Sequence, residues 1–288
     1  MHLRKMYPTY FAFGALVLYV ILFVVPGLVG IGYSFTNWSA YSDKLIFTLD
    51  NFKTVLSADE NYLTYLGNTI LFTFVTTIVK NVLGLLLAVL LTKKVFLLNM
   101  HRAIMYIPAV LSALIVGMIF RSILNPEVGL MNTFLDIFGI KGPKWLADPR
   151  LAFWSVMGVD IWKGMGYIMT IFIAGIMSIS PTYYEAADID GANGWQKFRS
   201  ITLPMLMPVL TVTTVLNVIY GLKVFDTVYA LTNGGPGYAT EVLYTSVYKE
   251  FGLGRYAVGT TLSSIMFAFM LIVGYFLIKG MTKDEVPE

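Results

Sequence analysis

The 288-residue chain contains no cysteine and only two histidines, His2 and His101. Without cysteine there is no disulfide framework and no thiolate metal site, and the two histidines lack zinc-ligand spacing. The formal net charge of +3 is small and its basic residues are scattered, so no nucleic-acid partner is indicated. We therefore expect this chain to bind no metal and no cofactor of its own.

Motifs for nucleotide and hydrolytic chemistry are missing as well. The sequence has no G-x-x-x-x-G-K-[ST] phosphate-binding loop, no dinucleotide fingerprint and no H-E-x-x-H pair. No residue is therefore assigned a catalytic role, and the chain is predicted not to be an enzyme.

What the chain has in abundance is apolar sequence. It is 57% hydrophobic with a mean hydropathy of +0.72, and its 13% of charged residues compares with about a quarter in soluble domains. The predicted fold class is all-α, a polytopic membrane protein with six transmembrane helices in one domain, residues 1–288. The six apolar stretches, each long enough to cross a hydrocarbon core of about 30 Å, are residues 10–35, 64–92, 103–124, 152–178, 204–231 and 258–279.

The segments between these stretches indicate an orientation. An even number of spans places both termini on one side of the membrane, the side that also holds residues 181–204. Lys and Arg are equally numerous on the two sides but denser on this one, which favours it as the cytoplasmic side. The loop on the other side at residues 125–151 has apolar residues at helical spacing, which predicts a short amphipathic helix at the surface: Leu130, Phe134, Leu135 and Phe138.

The most polar helical segment lies between the fourth and fifth apolar stretches. Ser180 and Pro181 are typical of a helix N-terminus, and residues 182–190 have the length of about two helical turns. Gly191 then offers a residue that tolerates positive φ at the end of a helix. A second short helix is predicted over residues 195–201, with Pro204 in the first turn of the next membrane helix. The pattern predicts a helix-turn-helix at the membrane surface.

This segment resembles the cytoplasmic EAA loop of ABC importer permeases, whose pattern is EAA, three residues, Gly, nine residues, Ile, one residue, Leu-Pro. Every fixed position is filled here. In that family the first helix of the loop docks into a groove on a separate ATPase subunit. The resemblance implies that residues 181–204 form a coupling loop of the type I importer core, with these coupling residues: Glu185, Ala186, Ala187, Asp190, Gly191, Ile201, Leu203 and Pro204.

Shorter matches elsewhere resemble carbohydrate-type permeases, the first of the two permeases in maltose and glycerol-phosphate importers. They are Tyr33-Ser34-Phe35, Trp145-Leu146 with Asp148-Pro149, and the FD-x-x-Y-x-L-T-x-GGP segment from Phe225 to Pro236. The resemblance implies a permease subunit of a binding-protein-dependent, ATP-driven oligosaccharide importer in a bacterial cell membrane. Its implied partners are a second permease in a heterodimer, two ATPase subunits that hold ATP and magnesium, an extracellular sugar-binding protein and the lipid bilayer.

Ionisable and polar residues inside spans are costly in lipid and indicate function. The candidates for a substrate path lie on the fourth and fifth apolar stretches: Asp160, Trp162, Lys163, Tyr167, Asn217 and Tyr220. Lys80, on the second stretch, is a further candidate. The alternative is structural: Asp160 and Lys163, three residues apart, form an ion pair, and the Asn and Thr side chains hold helices together.

Two other functional classes remain open at this level. An ion-coupled secondary transporter also uses buried ionisable groups such as Asp160 and Lys80, and a membrane scaffold explains the hydrophobicity alone. Within the importer class, glycerol-phosphate-type solutes compete with oligosaccharides. Glycines within spans indicate close helix packing, with a gating hinge as the alternative: Gly27, Gly30, Gly32, Gly158, Gly164 and Gly166.

Overall fold

The computed structural model describes residues 10–57, 61–93 and 96–281, so both termini, predicted to be cytoplasmic, lie outside the described residues. Within these ranges the regular structure is helical, apart from one isolated antiparallel bridge between Thr36 and Phe47. The helices are α1 Tyr10–Tyr19, α2 Val25–Ser34, α3 Asp50–Leu56, α4 Tyr62–Leu90, α5 Leu98–Val110, α6 Ala113–Ile123, α7 Leu130–Ile137, α8 Ala152–Ser178, α9 Pro181–Ile189, α10 Gly194–Lys197, α11 Leu203–Met205, α12 Met207–Leu222, α13 Asp226–Leu231, α14 Leu243–Gly252 and α15 Tyr256–Met281. Two π-helical turns, Val20–Val24 and Phe198–Thr202, continue α1 and α10.

Four helical segments of the described chain are long and apolar enough to cross a membrane alone. They are Ala12–Ser34, Tyr62–Leu90, Ala152–Ser178 and Tyr256–Met281, and they match four of the six predicted stretches. The other two stretches correspond to bent helix pairs, so the count reaches six when each pair is taken as one span.

The third predicted stretch, 103–124, is not a straight helix. Helices α5 and α6 meet at an angle of 99°. Pro108, near the end of α5, has no N–H to bond the preceding turn. The backbone is then extended at Leu111 and Ser112 before α6 begins. The end of α5, at Tyr106, Ala109 and Val110, lines the same cavity as the polar side chains of α4 and α8.

The fifth stretch, 204–231, also departs from the prediction. Pro204 lies in the short helix α11, and a bend of 64° after Met205 separates it from α12, so it is not in the first turn of the membrane helix. Pro208 takes that place, because a helix's first turn leaves its N–H groups unbonded anyway. Helix α12 ends at Leu222, and residues 226–231 form the separate helix α13.

The chain divides into two compact units. Of the described residues, the first contains 10–57, 61–63 and 246–268. Its described part links the start of α15 to the loop after α2, where the Ala257 amide donates to the Trp38 carbonyl at 2.8 Å. In the same unit Glu250 accepts a hydrogen bond from Tyr62 and forms an ion pair with Arg255.

The second unit, which among the described residues contains 64–93, 96–245 and 269–281, has α8 between two apolar clusters. Around its first half Val156 and Met157 pack with residues of α4, α6 and α13, and around its second half Met169 and Phe172 pack with residues of α4 and with Leu206. Apolar burial on both halves fixes α8 against its neighbours. The charged residues of α8, Asp160 and Lys163, lie between the two clusters.

Candidate functional site: a buried polar cavity and a surface helical segment

One carboxylate joins four helices inside the second unit. Asp160 of α8 lies 2.6 Å from the ammonium of Lys80 on α4, and the exposed fractions of the two side chains are only 1% and 4%. Tyr220 of α12 donates to Asp160 Oδ1 at 2.8 Å, and Thr227 of α13 donates to the same atom at 3.4 Å. The Lys80 ammonium also lies 4.6 Å from the centroid of the Tyr220 ring. A buried ion pair is tolerated only when further hydrogen bonds satisfy its members, and Tyr220 and Thr227 supply these bonds to Asp160.

A second row of polar groups lies on α4 and α12. Asn81 donates to the Thr214 hydroxyl at 3.1 Å, and its own amide oxygen accepts from Asn217 at 3.4 Å. These bonds fix the register of α4 against α12. Gly221 supports the same close approach, since a Cβ there would lie 2.8 Å from the Thr73 Cα.

The polar groups face a cavity of about 540 Å³. Five of the six predicted path residues line it: Asp160, Lys163, Tyr167, Asn217 and Tyr220, together with Lys80. Trp162 does not line the cavity; its ring packs on Phe120 at a centroid distance of 5.1 Å. The wall therefore offers hydroxyl, amide, carboxylate and ammonium groups beside aromatic faces, which can hydrogen-bond and stack on a polyhydroxylated solute.

The alternative of an ion pair between Asp160 and Lys163 is wrong. Asp160 pairs with Lys80 across helices, and within the described residues no ion pair joins it to Lys163. The i,i+3 spacing allowed a local pair, but α8 turns the Asp160 carboxylate toward α4, where the aliphatic stem of Lys80 packs against Gly164. Lys163 instead contributes a half-buried ammonium to the cavity wall.

Tyr106 and Thr227 belong to this site but were not predicted. Tyr106 reaches the cavity from the last turns of α5, beside Ala109 and Val110. Pro108 in an otherwise apolar stretch was the available signal, because a proline inside a membrane helix marks a bend. Thr227 carried no comparable signal, since it lies in a segment expected to continue the fifth span.

The glycines of α8 differ from one another. A Cβ on Gly166 would lie 1.8 Å from the Met105 carbonyl oxygen, so the α5 backbone lies directly against α8 there. Gly158 has no atom within 4 Å of the same position, and neither has Gly27 or Gly30 in the first span. Helix α8 runs unbroken through all its glycines, and at Gly166 the α5 backbone packs closely on it.

The segment 181–204 has the helix-turn-helix form that was predicted. Helix α9 starts with the Ser180 side chain accepting from the Thr182 amide, and it ends before Gly191, whose φ is +75°. The Ala192 amide donates to the Ala187 carbonyl at 2.8 Å, which closes the helix end. Helix α10 starts with a reciprocal pair of hydrogen bonds between Asn193 and Gln196.

Side chains anchor this segment to the long helices. The Tyr184 hydroxyl lies 2.9 Å from Thr202 Oγ1, and Tyr184 and Ile201 pack against the apolar cluster that contains Phe172 and Leu206. Lys197 and Asp188 form an ion pair that joins α10 back to α9. The segment is therefore held as one body with the second half of α8.

Other side chains of the segment point away from the protein. Glu185, Ala186 and Asp190 are exposed, and Ile189 next to them is 87% exposed. A row of exposed small, acidic and apolar residues on an anchored helix is suited to contact another protein. Trp195 stacks on Phe198 at 5.6 Å, so these two rings share one face of the segment.

We predict that Gly191→Val weakens the fold of the 181–204 segment. Non-glycine residues pay roughly 1–2 kcal/mol for the left-handed region, and a β-branched residue lies at the upper end. The variant should show faster proteolysis between α9 and α10 and poorer recovery of any subunit that binds there. Gly194→Val, at a glycine with ordinary φ and no atom near a Cβ, is the matched control. Equal behaviour of the two variants would contradict the prediction.

Helices long and apolar enough to cross a membrane, together with a polar cavity within the second unit, are features expected of a membrane permease. The chain belongs to the family of binding-protein-dependent transport system inner membrane components, whose model matches residues 80–283. It is a multi-pass membrane protein and a transport subunit. The predicted family resemblance is thereby confirmed.

Curated relatives and a solved structure agree with this assignment. The probable starch degradation products transport system permease protein AmyD of Thermoanaerobacterium thermosulfurigenes is 33% identical over 93% of this chain and 91% of its own. The trehalose/maltose transport system permease protein MalF of Thermococcus litoralis is 36% identical over 80% of this chain and 77% of its own. A chain of a bacterial ABC transporter involved in the import of the acidic polysaccharide alginate matches with a TM-score of 0.84 at 25% identity, covering 95% of this chain and 94% of that one. The predicted fold class, an importer permease core, is confirmed.

Proposed function

We propose that this chain forms one half of the heterodimeric translocation path of an ATP-driven oligosaccharide importer. A second permease supplies the other half, two ATPase subunits bind and hydrolyse ATP with magnesium, and an extracellular binding protein delivers the sugar. Residues 181–204 and both termini face the cytoplasm. Two features of α8 support this proposal. Its middle part lines a polar cavity, and its second half anchors the exposed helix α9.

The substrate class rests on the cavity wall and on the relatives. Tyr106, Tyr167 and Tyr220 bring aromatic faces and hydroxyls, and Asn217 brings an amide. These groups bind neutral sugars, whereas a phosphate ester is usually held by bidentate arginine, and no arginine lines the described cavity. The printed names of two relatives refer to starch degradation products and to trehalose and maltose.

Coupling to the ATPase is assigned to the exposed face of α9. Glu185 offers a carboxylate for charge-assisted hydrogen bonds, while Ala186 and Ala187 let another backbone approach closely. Because Tyr184 on the same helix is bonded to Thr202, a displacement of α9 is passed to the chain that leads into α12. With Asp190, Gly191, Ile201, Leu203 and Pro204, these residues form the proposed coupling site.

The test is co-expression of this chain with the neighbouring permease and ATPase genes, followed by a pull-down and an ATPase assay on the same sample. A stoichiometric complex whose hydrolysis rises with binding protein and maltooligosaccharide supports the proposal. Stimulation by glycerol phosphate alone would overturn the substrate class. A chain that purifies alone and moves solute on an ion gradient would overturn the importer itself.

We predict that Glu185→Ala lowers substrate-stimulated ATPase activity in the assembled complex without abolishing it. A charge-assisted hydrogen bond contributes about 1.5–3 kcal/mol. Carrying a two-state gate from 1:99 to 99:1 takes about 5.5 kcal/mol, so the loss of one such bond weakens the switch but leaves part of it. Stimulation is measured as the ratio of the rates with and without loaded binding protein.

Glu185→Gln and Arg199→Ala complete this experiment. Glutamine keeps the hydrogen-bonding shape without the charge, so it should fall between alanine and the native residue. Arg199 is an exposed charge of the same segment outside the proposed coupling residues, and its removal should leave the ratio unchanged. Full stimulation in Glu185→Ala, with normal assembly, would remove Glu185 from the coupling site.

A further inference from the structure

The loop between α6 and α8 is folded around one buried amide. Asn132 of α7 donates through Nδ2 to the Pro126 carbonyl at 3.0 Å and to the Pro143 carbonyl at 3.3 Å. Its Oδ1 accepts from the Trp145 indole N–H at 2.7 Å. Gly142 packs directly on this amide. The segment 126–145, which we call the α7 module, therefore has a fixed inner side and a fixed outer side.

The outer side of the α7 module is strongly apolar. Its large side chains have exposed fractions from 54% at Ile140 to 80% at Val128. The rings of Phe134 and Phe138 contact each other edge to face at 5.3 Å and leave their outer surfaces uncovered. The full set is Val128, Leu130, Phe134, Ile137, Phe138 and Ile140. A contiguous apolar patch of this kind indicates a contact with lipid or with another protein.

The tethers of the module place it at the membrane boundary. Only six residues separate the end of α6 at Ile123 from Leu130. That linker spans at most about 25 Å. Trp145 ties α7 to the first turns of α8, because its indole donates to Asn132 and its carbonyl accepts from Ser155. The amino-terminal end of α8 and the 181–204 segment lie at opposite ends of α8, because the segment follows its carboxyl-terminal end at Ser178. The acyl region of the leaflet there is the apolar phase within reach of the patch.

A groove beside the module points to the same occupant. It has a volume of about 330 Å³ and lies between α6 and α8, with Phe120, Leu124 and Val159 on its walls. The polar groups of Ser155 and Trp145 in its lining are already used: the Ser155 hydroxyl donates to the Trp145 carbonyl at 2.9 Å, and the Trp145 N–H goes to Asn132. A groove in the wall of membrane helices with such a lining suits a hydrocarbon chain.

Tryptophans mark the depth of this groove. Trp145 and the 55% exposed Trp154 both line it. Tryptophan is enriched at the level of the lipid headgroups, where its ring contacts hydrocarbon and its N–H stays near polar groups. The groove therefore begins at the headgroup level and runs along α8 toward the membrane interior, beside the outer side of the α7 module.

We propose that the outer side of the α7 module and this groove together form a phospholipid-binding surface in the leaflet at the amino-terminal end of α8. The apolar side chains of α7 lie in the boundary of the leaflet, and an acyl chain of a lipid enters the groove. The bound lipid holds the amino-terminal end of α8, which is the end nearer to Asp160, at a fixed depth in the membrane. This inference does not depend on the identity of the transported solute.

The absence of cysteine makes the test direct, since every introduced thiol is unique in this chain. Phe134→Cys and Ile137→Cys place a bimane label on the apolar side of α7, and Asp136→Cys places it on the opposite, exposed side as a matched control. Trp154→Cys reports on the groove. The permease, with whichever subunits co-purify with it, is reconstituted in phosphatidylethanolamine–phosphatidylglycerol nanodiscs, and unmodified protein gives the background.

Two quenchers then distinguish the occupants. A phospholipid with a nitroxide near the head of its acyl chain should quench the labels at 134, 137 and 154 several-fold more than the label at 136, whereas aqueous iodide should show the reverse order. Labels at 134 and 137 that are shielded from both quenchers would mean that another protein covers the patch. Iodide access equal to that at position 136 would mean that the patch faces water. Either result overturns the proposal.

Discussion

Asp160→Ala is expected to prevent recovery of a folded permease. The substitution leaves the Lys80 ammonium buried without its carboxylate and removes the acceptor of Tyr220. Breaking a buried ion pair from one side costs about 3–5 kcal/mol, a large share of the stability of an ordinary domain. The measurement is the yield of monodisperse protein and its thermal midpoint in nanodiscs. Lys163→Met, which removes a half-buried cation of the same cavity, should have a much smaller effect.

A double variant separates the structural role of the pair from a role in transport. Lys80→Met with Asp160→Asn removes both charges and keeps an amide oxygen that can accept from Tyr220. Replacing both partners of a buried pair is often neutral for stability, so folding should recover. If the pair serves the path, the recovered protein still transports poorly. Normal transport would show that Lys80 and Asp160 only hold the helices together.

Gly166→Ala is expected to have the second largest effect. The added methyl carbon would lie 1.8 Å from the Met105 carbonyl oxygen, which belongs to the backbone and cannot rotate away. Helix α5 must then move as a whole, and overpacking of this kind costs about 1–3 kcal/mol or more. The expected result is a lower thermal midpoint and loss of the cavity wall formed by Tyr106.

Gly158→Ala is the matched control on the same helix. No atom lies within 4 Å of its Cβ position, so the substitution adds a methyl group without a clash. Alanine in place of glycine in a helix favours folding by about 0.5–1 kcal/mol. The thermal midpoint should therefore stay equal or rise slightly. Equal losses in the two variants would contradict the close packing of α5 on α8.

The positions of the helices could be predicted from the sequence more readily than the contacts between them. Long apolar stretches define α4, α8 and α15 because lipid admits little else of that length. Capping residues defined α9, since Ser180, Pro181 and Gly191 act on the adjacent backbone. The short helices α3 and α14 were missed, because their sequences have neither long apolar runs nor strong caps, and α13 was expected to continue the fifth span.

The site was predicted only in part for a physical reason. The free-energy cost of placing polar groups in lipid marked Asp160, Lys163 and Tyr220 as unusual. That cost does not say which neighbour each side chain faces. The pairing of Asp160 with Lys80 depends on the rotation of α8 against α4, which packing between helices decides. Tyr106 reaches the cavity because the α5 backbone packs closely on α8 at Gly166. Local patterns identify costly residues, and tertiary packing assigns their partners.

Helix α8 has a mechanical consequence as an unbroken rod of 27 residues. If α8 tilts as a rigid body, we take its close contact with the α5 backbone at Gly166 as the pivot. At a rise of about 1.5 Å per residue, Asp160 lies about 9 Å to one side of this pivot and Ser178 about 18 Å to the other. A tilt that moved the Ser178 end by about 4 Å would move Asp160 by about 2 Å. A shift of that size is comparable to the 2.6 Å that separates Asp160 from Lys80. For a rigid α8 that pivots at Gly166, Asp160 moves half as far as Ser178, so a displacement at the α9 end reaches the Asp160–Lys80 pair at half its size.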